Sequence, residues 1–196
     1  MIFAVTHIKS LLVANFIQTN SSTFELFDTN QEMNIDEIFW SLSGINRYLG
    51  HQDSFYSVAQ HCVLGANYIR DVLKLNRYEQ YKFLMHDWCE AYIGDMPYPV
   101  KRQIPQFRDF EEKVWATHAH KLNLPVDMNS EEMNLVHEID RRICKDEFRV
   151  LFKEGLDNKT IDLMSLLKPL GIDFMPLSRY ESYRLITKSF KEITCD

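Results

Sequence analysis

The segment Leu84–Asp95 carries the sequence LMHDWCEAYIGD, and the rest of the chain is organised around it. Its apolar residues recur at steps of three and four, which predicts the last turns of a helix with one face in a core. Gly94 suits the left-handed turn that commonly follows a helix. His86, Asp87 and Glu90 fall together on the flank of this predicted helix, because side chains three or four residues apart are neighbours.

Asp95 follows Gly94 and is predicted to return toward the same end of the helix. One imidazole and three carboxylates so close together repel one another as anions and lose hydration unless a cation gathers them. The alternative is a polar edge of a core helix, satisfied by ordinary hydrogen bonds, which is the commoner situation for an isolated His-Asp pair. The segment by itself leaves both interpretations open.

Composition places the chain among ordinary globular proteins. Its 196 residues suffice for one domain, residues 1–196, with 45% hydrophobic and 26% charged residues. The formal net charge of −6 argues against a nucleic-acid-binding surface, which needs an excess of Lys and Arg. The four cysteines form no C-x-x-C pair, which predicts reduced thiols in a cytoplasmic protein rather than disulfides.

The N-terminal residues Met1–Ile17 are apolar enough to raise the question of a targeting segment. They lack a basic start, and polar residues interrupt the apolar run, which is too short to span a membrane. We expect a short arm or strand that packs on the body of the protein, and no membrane association.

Nearly every periodic stretch has the helical period, so the predicted fold class is all-α, with one short strand at Phe24–Phe27. Capping signals mark several helix starts. The predicted helices are a short one through Ile35 and Leu42, one opened by Ser57 and running to about Leu75, one at about Phe107–Leu122, one opened by Asn129 and running to about Phe152, and a last one opened by Ser178.

Two sets of aromatic residues have alternative interpretations. Trp88, Tyr92 and Trp115 have the chemistry to stack a nucleobase, but their spacing is that of core residues. The apolar stripe from Tyr183 to Ile193 on the last helix either forms an interface between subunits or closes the core of its own chain. For both sets we favour the core.

A second anomaly is Asp140, which lies on the predicted buried face of its helix between Val136 and Ile143. An unpaired carboxylate there would cost several kcal/mol of desolvation or would have to hold its proton. Neutralisation by Arg141 and Arg142 is one solution. The other is a divalent metal that Asp140 shares with three residues elsewhere in the sequence: His61, His86 and Asp87.

Two imidazoles and two carboxylates form a mixed nitrogen and oxygen donor set. Such a set suits Mn²⁺, Co²⁺, Ni²⁺, Fe²⁺ or Zn²⁺ better than Ca²⁺. His137 lies three residues before Asp140 on the same helix face, so a centre with a second metal is an alternative. An isolated histidine beside a polar site is more often simply hydrogen-bonded there.

Three sequence motifs together resemble those of the HD-domain phosphohydrolases, whose ligand pattern H…HD…D lies on separate helices. Within that superfamily, the chain is most similar to small 5′-deoxynucleotidases and to a phage-type branch that shares its core with dATP triphosphohydrolases. The resemblance covers about residues 16–151, and the C-terminal extension 152–196 matches no part of it. The motifs are NRY at 46–48 with YSVAQH at 56–61, HDxxExxxGDMPxPVK at 86–101, and DRR at 140–142 with Glu147.

The resemblance implies a single helical HD domain and a set of site residues. Glu90 and Asp95 would be catalytic, activating the attacking water and protonating the leaving oxygen. Arg47 would bind phosphate, with Lys101 as a second phosphate contact and Gln60 beside the substrate, orienting its neighbouring ligand. One divalent metal (Mn, Co, Ni, Fe, Zn or Mg) would be held by His61, His86, Asp87 and Asp140.

Three functions follow from these motifs as hypotheses. The first is a phosphohydrolase that releases phosphate from deoxynucleoside 5′-monophosphates. The second is a deoxynucleoside triphosphate triphosphohydrolase, which needs further basic groups along a channel, for which the candidates are Lys82, Lys101, Arg102, Arg141 and Arg142. The third is a non-catalytic sensor of metal or nucleotide, or a partner-binding module. The expected partner is a small nucleotide rather than nucleic acid, and a homo-oligomer is compatible with the resemblance.

Overall fold

The computed structural model describes residues 16–152 and 176–195. The predicted N-terminal arm lies outside these ranges except for its last residues, and so does much of the C-terminal extension. Within the described ranges the chain is mostly helical, as the sequence predicted, with one small antiparallel sheet. Strands β1 (Phe16–Gln18) and β2 (Thr23–Glu25) form that sheet, with Ile17 opposite Phe24.

Eight α-helices and three 3₁₀ turns follow the sheet in the described part of the chain. The helices are α1 (Ile35–Gly44), α2 (Val58–Asp71), α3 (Arg77–Met85), α4 (Glu90–Ile93), α5 (Tyr98–Lys101), α6 (Pro105–His118), α7 (Asn134–Leu151) and α8 (Arg179–Thr194). The 3₁₀ turns are Arg47–Gly50, Ala119–Leu122 and Glu131–Met133.

Side-chain caps explain where several helices begin. The Ser57 hydroxyl accepts from the Gln60 backbone N–H at the start of α2. Ser178 and Glu181 cap each other's backbone reciprocally at the start of α8. Both starts agree with the sequence prediction, because a cap depends on residues within one turn of each other.

The predicted start at Asn129 is wrong, since α7 begins only at Asn134. The Asn129 backbone N–H donates to Asp127 Oδ1 at 2.8 Å, and its side-chain amide donates to Glu112 of α6 at 3.0 Å. These contacts use Asn129 to hold the loop against α6. A 3₁₀ turn over Glu131–Met133 then leads into the helix.

The segment Leu84–Asp95 is not the continuous helix that the spacing of its apolar residues predicted. Helix α3 ends at Met85, and tight turns lead through His86 to the short α4. Successive backbone N–H groups here bond three residues back, as from Trp88 to the Met85 carbonyl at 3.1 Å and from Glu90 to the Asp87 carbonyl at 3.0 Å. Hydrogen bonds to the carbonyl three residues earlier, as in a 3₁₀-helix, wind the chain more tightly than an α-helix and change the directions of its side chains.

The core lies among α1, α2, α3, α6, α7 and α8. Trp88 and Trp115 are buried with ring centroids 5.8 Å apart, which confirms them as core residues. Helix α8 packs on α1, α2 and α3, burying Ile186 and placing Phe190 5.3 Å from Phe39. The stripe of α8 therefore closes the core of its own chain. None of the described helices is long and apolar enough to cross a membrane.

Helices α2 and α3 approach closely at Gly65. A Cβ atom at this position would lie 1.9 Å from Cε1 of Phe83, whose side chain is fully buried. This separation is far below any van der Waals contact. The glycine therefore sets the distance between the helix that carries His61 and the helix that leads to His86.

We expect Gly65→Ala to destabilise the protein by about 1–3 kcal/mol, because the added methyl overpacks the α2–α3 contact. Urea unfolding followed by circular dichroism measures the change. Asn67→Ala, two residues along on the half-buried side of the same helix, is the control and should stay within about 0.5 kcal/mol of wild type. Equal stability of the two variants would contradict the packing argument.

Candidate metal centre and its surroundings

Three helical segments bring the four predicted ligands together. His61 lies in the first turns of α2, and His86 and Asp87 lie in the tight turn after α3. Asp140 lies in the middle of α7. The donor atoms of His61, His86 and Asp140 all lie within 4.8 Å of one another.

The individual distances place each imidazole Nε2 against carboxylate oxygens. His61 Nε2 lies 3.1 Å from Asp140 Oδ1 and 3.9 Å from Asp87 Oδ2. His86 Nε2 lies 3.2 Å from Asp87 Oδ1 and 4.0 Å from Asp140 Oδ1. In the described residues, Asp140 forms its ion pairs with these histidines and not with Arg141 or Arg142, which answers the alternative raised by the sequence.

Each histidine is held through its other nitrogen. His86 Nδ1 lies 2.7 Å from the Phe83 carbonyl, which only accepts, so Nδ1 carries the proton. His61 Nδ1 lies 2.6 Å from Glu147 Oε1. Both Nε2 atoms are buried and have no hydrogen-bond partner within the described ranges. Two oriented nitrogens beside two carboxylates fit a divalent transition metal, whose histidine ligands are normally fixed in this way.

Burial and neighbouring charges act in opposite directions on the pKa values of His61 and Asp140. Burial and the charge of Arg47 lower the pKa of His61, but Glu147 and Asp140 outweigh them and raise it to about 9. Burial lowers the pKa of His86. Burial works against ionisation of Asp140, yet the two imidazoles hold the pKa of its carboxyl far below the ordinary value. The two imidazoles thus favour an anionic Asp140 beside them.

The predicted catalytic acids lie beside the cluster. Glu90 is 7% exposed, and its Oε2 has no hydrogen-bond partner among the residues that the structure describes. Burial raises the pKa of Glu90 well above its ordinary value, and the negative charges of Asp87 and Asp95 add to the rise. Burial also raises the pKa of Asp95. A carboxyl group that keeps its proton near neutral pH can act as a general acid.

Arg47 reaches the same cluster from the turn before α2. Its Nη1 lies 3.5 Å from Asp87 Oδ2, and its Nε lies 3.4 Å from Glu147 Oε2. The backbone is pinned as well, since the Arg47 N–H donates to the Tyr56 carbonyl at 2.9 Å. Its guanidinium is therefore a fixed positive charge at the edge of the candidate metal centre.

The two other predicted substrate contacts are placed differently. Lys101 Nζ donates to both carboxylate oxygens of Glu111, at 2.9 and 3.0 Å, so its charge is already paired. Burial raises the pKa values of Glu90 and Asp95, and the charge of Lys101 offsets a small part of that rise. Gln60 is 2% exposed, next to His61 on the first turn of α2, and lies within the packed wall of the site.

No role was predicted for Glu147, although it belongs to the third motif. The structure buries this carboxylate completely and surrounds it with His61, Arg47 and two tyrosine hydroxyls, those of Tyr48 and Tyr56. The charges of Arg47 and His61 overcome its burial and lower its pKa to about 2. The available signal was its position seven residues after Asp140, which is the same helix face two turns on.

Neighbouring residues have simpler roles. Cys62 and Cys89 are buried in the core, and the Cys62 thiol also lies near His86 and Asp87. Cys144 Sγ accepts from Arg47 Nη2 at 3.3 Å and donates to Asp140 Oδ1 at 3.4 Å. His137 Nε2 bonds the Met128 carbonyl at 2.8 Å, the ordinary fate of an isolated histidine.

No protein-family model matches the chain. Over 118 residues the sequence is 37% identical to YfdR, an uncharacterised protein of Escherichia coli strain K12. The match covers 59% of this chain and 63% of the relative, which is less than two thirds of its length. The relative's name assigns no activity, so any functional argument rests on the geometry of the site.

We expect the protein to bind one Co²⁺ or Mn²⁺ per chain. The metal is first removed with a chelator, Co²⁺ or Mn²⁺ is then added and the excess dialysed away, and elemental analysis measures what is bound. Metal at about 100 times its Kd should raise the free energy of unfolding by about 2.7 kcal/mol. His86→Ala should lose the metal and this stabilisation. His137→Ala, whose ring lies against the Met128 carbonyl, is the control and should retain one metal. A wild-type protein without bound metal would contradict the assignment.

Proposed function

We propose that this chain is a metal-dependent phosphohydrolase of the HD type that removes phosphate from deoxynucleoside 5′-monophosphates. One observation carries the proposal: His61, His86, Asp87 and Asp140 converge from three helical segments, and both imidazoles turn toward the carboxylates a buried Nε2 that makes no hydrogen bond within the described part of the chain. Such a polar cluster is costly in a protein interior unless a ligand compensates it.

These four residues would hold the metal. When bound, a divalent ion would supply Lewis acidity toward a phosphoryl oxygen and lower the pKa of water in the site. Arg47 would bind a second phosphoryl oxygen, because its guanidinium is fixed beside Asp87 and its planar fork matches phosphate. The charge of the transferring group lies on its peripheral oxygens, where these groups would stabilise it.

Glu90 and Asp95 would move the protons. In the reaction, the oxygen of water attacks phosphorus and the bond from phosphorus to the 5′ oxygen breaks. The two products are orthophosphate and the free nucleoside. One carboxylate accepts the proton of the attacking water, and the other carboxylic acid donates a proton to the 5′ oxygen. Burial raises the pKa of both carboxyl groups, and nearby negative charges add to the rise, which favours the protonated form that a general acid needs.

The positions of basic residues favour a monophosphate over a triphosphate. Lys82, a candidate for a triphosphate channel, is 3% exposed and donates to the Glu132 carbonyl at 2.6 Å. Arg102 lies over the Tyr98 ring, and Lys101 is paired with Glu111. These side chains are engaged elsewhere, which leaves Arg47 as the best-placed cation for a single phosphate.

Two alternatives remain as competing hypotheses. A triphosphohydrolase would release tripolyphosphate from a deoxynucleoside triphosphate. A non-catalytic sensor would bind metal or nucleotide without turnover, but such a protein has no physical need for a buried and a half-buried acid beside the metal ligands. The buried, unpartnered Oε2 of Glu90 therefore supports an enzyme.

The test is turnover by metal-loaded protein against ribo- and deoxynucleoside mono-, di- and triphosphates, with the phosphate product identified. We expect orthophosphate from deoxynucleoside monophosphates and little release from triphosphates. Tripolyphosphate would establish the triphosphohydrolase instead. Metal binding without turnover of any nucleotide would favour the sensor.

We expect Glu90→Gln and Asp95→Asn each to lower kcat by about 10²–10⁴-fold, the usual contribution of a general acid or base. Both variants keep the size of the side chain, and both should still bind one metal. Asp109→Asn on the exposed side of α6 is the control and should retain wild-type kcat. Full activity of Glu90→Gln would remove Glu90 from the mechanism.

A further inference from the structure

The carboxylate of Glu147 joins the candidate metal centre to the candidate phosphate-binding residue. It is fully buried on α7, and its two oxygens face different neighbours. Oε1 lies 2.6 Å from His61 Nδ1 and accepts from the Tyr56 hydroxyl at 2.8 Å. Oε2 lies 3.4 Å from Arg47 Nε and accepts from the Tyr48 hydroxyl.

The contact of Oε1 determines how His61 is presented. A carboxylate oxygen only accepts, so Nδ1 of His61 carries a proton, and Nε2 is the nitrogen that faces Asp87 and Asp140 and would bind a metal. The short distance also fixes the plane of the ring. A bond of this kind raises the basicity of the nitrogen that faces a metal.

The contacts of Oε2 hold the turn that carries Arg47. Tyr48 and Leu49 have positive φ angles of 57° and 56°, which are uncommon for residues other than glycine. Surrounding contacts must enforce such a backbone. The bond from the Tyr48 hydroxyl and the ion pair of Arg47 attach both sides of this strained turn to the same carboxylate.

We propose that Glu147 is a positioning residue that sets His61 for metal binding and holds Arg47 for phosphate binding at the same time. The inference rests on the proposed function, since it assigns Glu147 to the same site. It extends that function by making one buried charge the link between metal affinity and phosphate affinity.

A merely structural role accounts poorly for this charge. A buried ion pair is weak evidence for stability, because apolar residues of similar size often stabilise a protein as well or better. Neutral side chains would also satisfy the two tyrosine hydroxyls. Only the imidazole and the guanidinium need an anion here, and these are the two groups that face the candidate site.

The experiment compares Glu147→Gln with Tyr56→Phe. Glu147→Gln keeps the shape of the side chain and removes its charge, and we expect it to weaken Co²⁺ binding by about 10–100-fold, the usual effect of losing the carboxylate behind a histidine ligand. The visible spectrum of bound Co²⁺ should shift, since the basicity of His61 falls. At saturating Co²⁺, inorganic phosphate should bind about tenfold more weakly, the equivalent of one hydrogen bond between charged groups.

Tyr56→Phe is the matched control, because it removes a bond to the same carboxylate and leaves the charge. It should lower the unfolding midpoint but keep the wild-type Co²⁺ affinity and spectrum. Equal Co²⁺ affinity of Glu147→Gln and wild type would overturn the inference while leaving the proposed function intact. Equal weakening in both variants would also overturn it, by showing a general loosening of the site.

Two further outcomes are distinguishable. A wild-type protein that binds no Co²⁺ would overturn the proposed function together with this inference. If Glu147→Gln does not fold, Glu147→Asp takes its place. The shorter carboxylate withdraws from His61 by one methylene, so Co²⁺ affinity should fall, and an unchanged affinity would overturn the inference.

Discussion

The clamping of His61 between two acids of α7 is the interaction on which the site depends. Glu147 lies 2.6 Å from Nδ1 of its ring, and Asp140 lies 3.1 Å from Nε2. The two acids are seven residues apart, so both occupy one face of α7 two turns from each other. A fully buried imidazole on α2 thus bonds Glu147 through Nδ1 and faces Asp140 with Nε2, and the distance between the helices sets the geometry of the candidate centre.

The other half of the centre depends on a departure from regular helix. If α3 had continued unbroken through Glu90, the side chains of His86 and Asp87 would have pointed in the directions set by a regular α-helix. Instead, the tight turns after Met85 place His86 and Asp87 toward α2 and α7. The bond from His86 Nδ1 to the Phe83 carbonyl holds the ring in place. Helix packing at Gly65 then brings α3 close enough to α2 for both rings to face the same carboxylates.

Electrostatics connects these contacts to chemistry. Burial favours the neutral form of Glu90, and the charges of Asp87 and Asp95 act in the same direction. Arg47 and His61 do the reverse for Glu147, which stays ionised although it is fully buried. A carboxylic acid whose burial favours its neutral form and a carboxylate that its neighbours keep ionised therefore lie around one cluster of possible metal ligands.

The sequence by itself determined the helical class, the caps at Ser57 and Ser178, and the choice of the residues that converge. These features depend on local periodicity, on bonds within one helical turn, and on the cost of burying a charge such as Asp140. Only the tertiary structure decided the late start of α7 and the tight turn at His86, because contacts with other segments, including that of Asn129 with Glu112, overrode the local signals. The neighbours of Glu147 were also decided only by the tertiary structure. They lie about ninety to a hundred residues away in the sequence and meet its carboxylate only when α2 and the Arg47–Gly50 turn pack on α7.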